Sequence, residues 1–93
     1  MALRWVEERP VAGRMMMLEP GHVIGREGCE IVLPDPEVSR RHAALKAMGD
    51  GIGIEDLGSL NGTFVNGERI SEPVALKAGD TVQLGNTIWR IVE

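Results

Sequence analysis

The chain has 93 residues, 43% hydrophobic and 26% charged, with a net charge of −4, the profile of one ordinary globular domain. The acidic balance argues against broad, sequence-independent nucleic-acid binding, which needs a basic face, and Trp5, Phe64 and Trp89 offer little for base stacking. No apolar run approaches the ~20 residues of a membrane helix and "MALRWVEERP" lacks the layout of a secretory signal, so a single cytoplasmic domain over residues 1–93, without membrane insertion, is the expectation.

Taken in chain order, the elements read as short strands between turns. "ALRWVEE" and "RMMMLE" are two strands with a turn at Pro10 to Gly13. The Met15 to Met17 run is expected to fill the core, since methionine adapts to irregular gaps; a binding patch is the other reading. Cys29, the only cysteine, permits no internal disulfide and falls short of a zinc site. Free cysteines are commonly buried, and a structural or incidental role is expected. The segment "DPEVSRRHAALKAMG" is helical by local rules from Pro36 to Met48: Asp35 caps, Pro36 suits the first turn, and Gly49 ends it. No other segment offers that helix a partner. In "GIGIEDL" Ile52 and Ile54 share a face, and in "DTVQLG" so do Val82 and Leu84. "TFV" and "ERI" flank Asn66-Gly67, a pair that tolerates the positive φ of a type I′ hairpin turn. "NTIWRIVE" is a natural last strand. Twelve glycines and this turn spacing indicate an all-β sandwich or barrel.

Candidate chemistry centres on "EVSRRHAAL", Glu37 to Leu45. Ser39 and His42 would need an orienting acid, for which Asp35 or Asp56 are candidates, and an oxyanion hole. No Gly-x-Ser-x-Gly elbow surrounds Ser39. Catalysis is therefore not expected, and His42 reads as a structural histidine. "GDGIG" (Gly49, Gly51, Gly53) reads as a turn, without the context of a dinucleotide fingerprint, and "GREGC" lacks the Lys-Ser/Thr of a phosphate loop. No cofactor is implied, and His22 and His42 have no companions at metal-ligand spacing. A phosphate reader needs a fixed arginine, a hydroxyl and further donors converging from loops. Arg26 after Gly25, Ser39 in a proline-flanked loop and Asn61-Gly62 in a turn supply those types, and neighbouring Arg40 and Arg41 add charge.

Four ordered blocks, "IGRE" (Ile24 to Glu27), "VSRRHA" (Val38 to Ala43), "DLGSLNGTFVNG" (Asp56 to Gly67) and "LKAGDTVQLG" (Leu76 to Gly85), resemble the forkhead-associated (FHA) domain. The resemblance spans nearly the whole chain. It implies an all-β, eleven-stranded sandwich with its binding loops at one end, and it moves His42 to Met48 from helix to strand. It further implies a non-catalytic module that binds phosphothreonine segments, with a Ser/Thr kinase or its substrate among the candidate partners. On this pattern Arg26 and Ser39 match the phosphate-binding arginine and serine. Arg40 matches a loop position that touches phosphate or peptide backbone, and Asn61 matches the asparagine that holds the peptide backbone. Gly25, His42 and Gly62 match structural positions: a tight backbone, a brace for the binding loop and a turn. Leu60 departs from the pattern, because many relatives carry threonine or a basic residue there and leucine offers only its backbone N–H. This keeps a phospho-independent FHA-like interaction or assembly domain open as an alternative. Partner specificity is expected from residues 34–37 and 58–60, with Glu37 disfavouring acidic residues nearby.

Overall fold

A computed structural model describes residues 2–93. Eleven strands appear: β1 (Arg4–Arg9), β2 (Met15–Met17), β3 (Val23–Gly25), β4 (Ile31–Val32), β5 (Ala43–Met48), β6 (Gly51–Asp56), β7 (Thr63–Val65), β8 (Glu68–Arg69), β9 (Val74–Ala75), β10 (Thr81–Leu84) and β11 (Thr87–Val92). They form a six-stranded sheet, β2-β1-β11-β10-β7-β8, and a five-stranded sheet, β4-β3-β5-β6-β9. Alternating inward residues fill the space between them, as in any sandwich. From the first sheet come Trp5, Val65, Val82, Leu84, Trp89 and Ile91; from the second come Ile24, Ile31, Ala43, Leu45, Ile52 and Ile54. Trp5 and Trp89 sit diagonally on the adjacent strands β1 and β11, where Trp5 faces Ile91 and Glu7 faces Trp89. Their rings stack at 4.2 Å with 7° between planes, within the same core as the aliphatic residues.

The helix favoured by local propensity over Pro36 to Met48 does not form. Ala43–Met48 is strand β5, hydrogen-bonded to β3 on one side and β6 on the other. The period decides: Ala43 and Leu45 are buried while Ala44 and Lys46 turn outward, a two-residue alternation that pairing on both edges reinforces. The Asn66-Gly67 hairpin forms, with φ of 52° and 84°, and joins β7 to β8 in register. Of the "GDGIG" glycines only Gly49 lies in a turn; Gly51 and Gly53 belong to β6. Gly53 has a packing reason, because a Cβ there would stand 2.1 Å from Met48 Sδ and 2.7 Å from the Val74 carbonyl oxygen.

The methionine run corrects an expectation. Met15, Met16 and Met17 are 49%, 42% and 44% exposed and fill no core. Consecutive residues of a strand point to opposite faces, and β2 is an edge strand whose one neighbour is β1.

The strand directions gather four connections at one end. Gly25 ends β3, Ala43 starts β5 opposite Asp56 at the end of β6, and Thr63 starts β7 opposite Leu84 at the end of β10. The connections after β3, before β5, between β6 and β7, and between β10 and β11 therefore share one rim.

Candidate functional site

At that rim the structure brings Arg26, Ser39, Leu60 and Asn61 together. Gly25 makes the first approach possible: a Cβ on it would lie 2.0 Å from the Arg40 carbonyl oxygen and 2.8 Å from Cys29 Sγ. No other residue fits, so β3 passes close beneath the β4–β5 connection. The Arg26 N–H then donates to the Ser39 carbonyl at 3.1 Å, and Arg26 Nη1 reaches the Val38 carbonyl at 3.4 Å. The remaining guanidinium donors face outward on an exposed side chain.

His42 is fully buried and joins two loops. Its Nδ1 accepts the Ser39 backbone N–H at 3.0 Å, which places the ring proton on Nε2, and Nε2 donates to the Gly62 carbonyl at 2.8 Å. The histidine thus touches the backbone of Ser39, not its hydroxyl. Ser39 Oγ instead accepts the Leu60 N–H at 3.0 Å. With that acceptor site filled from within, the hydroxyl hydrogen is left to donate outward. Neither bond makes a nucleophile–base pair.

Asn61 Nδ2 donates to the Glu37 carbonyl at 2.8 Å. One amide hydrogen and Oδ1 remain, the donor and acceptor that an extended peptide backbone presents in return. Gly62, at φ +90°, makes the turn into β7. Arg40 is exposed and paired with Glu27 at 3.1 Å, so one candidate phosphate ligand already holds a carboxylate.

Asp35 and Asp56, the candidate orienting acids of a catalytic pair, make no bond to His42 and instead hold the rim rigid. Asp56 accepts the backbone N–H groups of Gly58 and Ser59 and the hydroxyls of Ser59 and Thr63. Ser59 Oγ in turn accepts the Gly62 N–H at 2.9 Å. Burial alone would raise the Asp56 pKa; the four donors outweigh it and hold it below the ordinary carboxylate range. Asp35 ties the β4–β5 connection to the β10–β11 turn through the Asn86 N–H at 2.7 Å and the Thr87 hydroxyl at 2.8 Å. Its pKa is likewise lowered, burial opposing and the donors from Glu37, Thr87 and Asn86 prevailing. The readable signal for Asp56 is the Asp-x-x-Ser spacing, a short polar side chain bonding backbone a few residues on.

Comparisons with known proteins identify the family and the fold. The family model described as "FHA domain" matches residues 22–85. The glycogen accumulation regulator GarA of Mycolicibacterium smegmatis is 43% identical over 86 residues, which cover 90% of this chain and 54% of that protein. An oxoglutarate dehydrogenase inhibitor of Corynebacterium jeikeium is 42% identical over 86 residues, covering 90% of this chain and 59% of the relative. The chain thus spans little more than half the length of these curated relatives. Among solved structures, the FHA domain of CT664 from Chlamydia trachomatis superposes with a TM-score of 0.88 at 31% identity, covering 100% of this chain and 98% of that one. The FhaA FHA domain complexed with the intracellular domain of Rv3910 superposes at 0.84 with 32% identity, over 96% and 98% of the two chains. FHA domains are non-catalytic interaction modules that generally bind phosphothreonine peptides. With a sandwich of this topology and a family match over most of its length, the chain belongs to the FHA domain family.

Proposed function

We propose that this domain binds a short phosphothreonine-containing segment of a partner protein in Ser/Thr-kinase signalling, the partner being a kinase or its substrate. In this reading Arg26, Ser39 and Arg40 hold the phosphate, the Leu60 N–H lies beside it, and Asn61 holds the peptide backbone. The observation that carries it is the convergence on one rim of the Arg26 guanidinium, the outward Ser39 hydroxyl and the half-free Asn61 amide, each fixed by backbone bonds behind it. A phosphate monoester brings about −1.5 to −2 charges and three acceptor oxygens. Charge-assisted bonds contribute roughly 1.5–3 kcal/mol each, so three or four of them give affinity on the order of −8 kcal/mol, the micromolar range. A carboxylate mimic offers one charge and two oxygens and should bind poorly. The FhaA domain complexed with the intracellular domain of Rv3910 lends the reading support by kinship.

The test is a titration of matched phosphorylated and unphosphorylated threonine peptides against the wild type and Arg26→Ala. The expectation is phosphate-dependent binding that the variant loses with its fold intact; an affinity retained by Arg26→Ala would remove the site assignment. A second reading, a phospho-independent interaction domain, draws on two features. The Leu60 N–H is spent on Ser39, and Arg40 is held by Glu27. Equal binding of both peptide forms would favour it.

A further inference from the structure

Arg69 of the β7–β8 hairpin belongs to none of the candidate phosphate or peptide contacts, yet it stands beside the rim. It pairs with Phe64 across the β7–β8 hairpin. Thr63 and Val65 face the core, so Arg69 shares the outer face with Phe64 and Gly62. Gly62 has its N–H bonded to Ser59 Oγ and its carbonyl bonded to His42. In the remaining direction a Cβ would stand 2.7 Å from Arg69 Nε and 3.0 Å from its Cζ. The guanidinium is therefore in contact range of the turn that presents Asn61. Arg69 is exposed, and among the described residues its side chain makes no ion pair or hydrogen bond. Glu68 and Glu72 share with it an open cleft of about 320 Å³, but neither pairs with it.

The sheet order gives this cation a direction. Glu37 sits against Gly85, in the β10–β11 turn, whereas Arg69 lies on β8, and β7 with its preceding Asn61-Gly62 turn runs between β10 and β8. Asn61 thus has the Glu37 backbone, whose carbonyl it holds, on one side and an unpaired guanidinium on the other.

We propose that Arg69 is a specificity residue that takes a carboxylate side chain, aspartate or glutamate, from the partner segment where it passes Asn61 on the side away from Glu37. The proposal rests on the phosphopeptide reading of the site. A planar guanidinium with its donors uncommitted suits a carboxylate, and the exposed setting limits the gain to that of a surface pair.

The experiment uses a phosphothreonine peptide with neutral flanks and a series carrying one glutamate at successive flanking positions. Each is titrated against the wild type, Arg69→Gln and Arg69→Glu. One glutamate position is expected to tighten wild-type binding by ~2–5-fold, with the gain shrinking as salt rises. Arg69→Gln should lose that gain while binding the neutral peptide as the wild type does. Arg69→Glu should transfer the preference to lysine at the same position. If Arg69→Gln weakens neutral and glutamate peptides equally, the residue only braces Gly62 and the proposal fails. It also fails if the wild type binds the neutral phosphopeptide but no glutamate position improves it. A wild type that binds no phosphopeptide overturns the phosphate reading itself, and this proposal with it.

Discussion

Ser39 and His42 lie three residues apart, a spacing that suits a catalytic pair, and the atoms they use separate them. The histidine spends both ring nitrogens on backbone groups of two loops, so its removal is felt in the fold first. His42→Ala would leave the Ser39 N–H and the Gly62 carbonyl without partners and open a cavity beneath the rim. Breaking such a buried network costs roughly 2–4 kcal/mol, which in a domain of this size lowers Tm by about 10 °C or more. Calorimetry checks this, and an unchanged melt would contradict the brace. The Glu27–Arg40 pair makes a second residue-scale prediction. A phosphate that takes Arg40 must displace Glu27, so Glu27→Gln should tighten phosphopeptide binding by ~2–5-fold, the scale of an exposed ion pair. Unaltered affinity in a calorimetric titration would place Arg40 outside the phosphate contact. The residue types at the candidate site are legible from spacing and family pattern. Which atom each one offers is not, because Leu60 and Ser39 reveal their bond only once two distant loops meet.

At the scale of elements, legibility follows the competition between local and pairwise terms. Strands β6, β10 and β11 announce themselves by alternation or β-rich composition. Strand β5 is built from good helix formers, and only its two neighbours make it a strand. The methionine strand deceives for another reason: composition suggests interior filler, but position in the sheet decides exposure, and an edge is invisible in one dimension. The loops depend on their aspartates. Asp35, Asp56 and Asp80 all have lowered pKa values, each against the opposing effect of burial, and each fastens a turn by its carboxylate oxygens. A carboxylate depressed in the folded state adds stability that is complete above its unfolded pKa of ~3.9 and is lost as pH falls through the lower folded value. Stability should therefore hold near neutrality and fall steeply below about pH 4. Asp56→Asn should start from a lower midpoint and show a shallower acid slope. Urea midpoints measured across that range test this, and parallel profiles for the two proteins would show that Asp56 is not among the groups responsible.

For the whole molecule, the segment that carries the family signature and the segment that carries the fold are not the same. The signature occupies residues 22–85 and includes every candidate contact at the rim. Strands β1, β2 and β11 lie outside it, yet they make half of the six-stranded sheet and contribute the stacked pair Trp5 and Trp89, both fully buried. A domain of this length has roughly 5–14 kcal/mol of total stability, and truncating a buried tryptophan to alanine costs about 3–5 kcal/mol. Trp5→Ala should thus lose a large fraction of the stability, and Trp5→Ala with Trp89→Ala together should not fold, since neighbours that share one cavity act jointly. A fragment restricted to residues 22–85 would lose Trp5, Trp89 and β11, one of the two strand neighbours of β10, leaving that edge of β10 open to water. It should show neither a cooperative urea transition nor binding to the phosphopeptide that the full chain takes. A cooperative transition in that fragment would mean that the five-stranded sheet and the β7–β10 pairing suffice to hold the rim, and that the tryptophan stack is dispensable to the site.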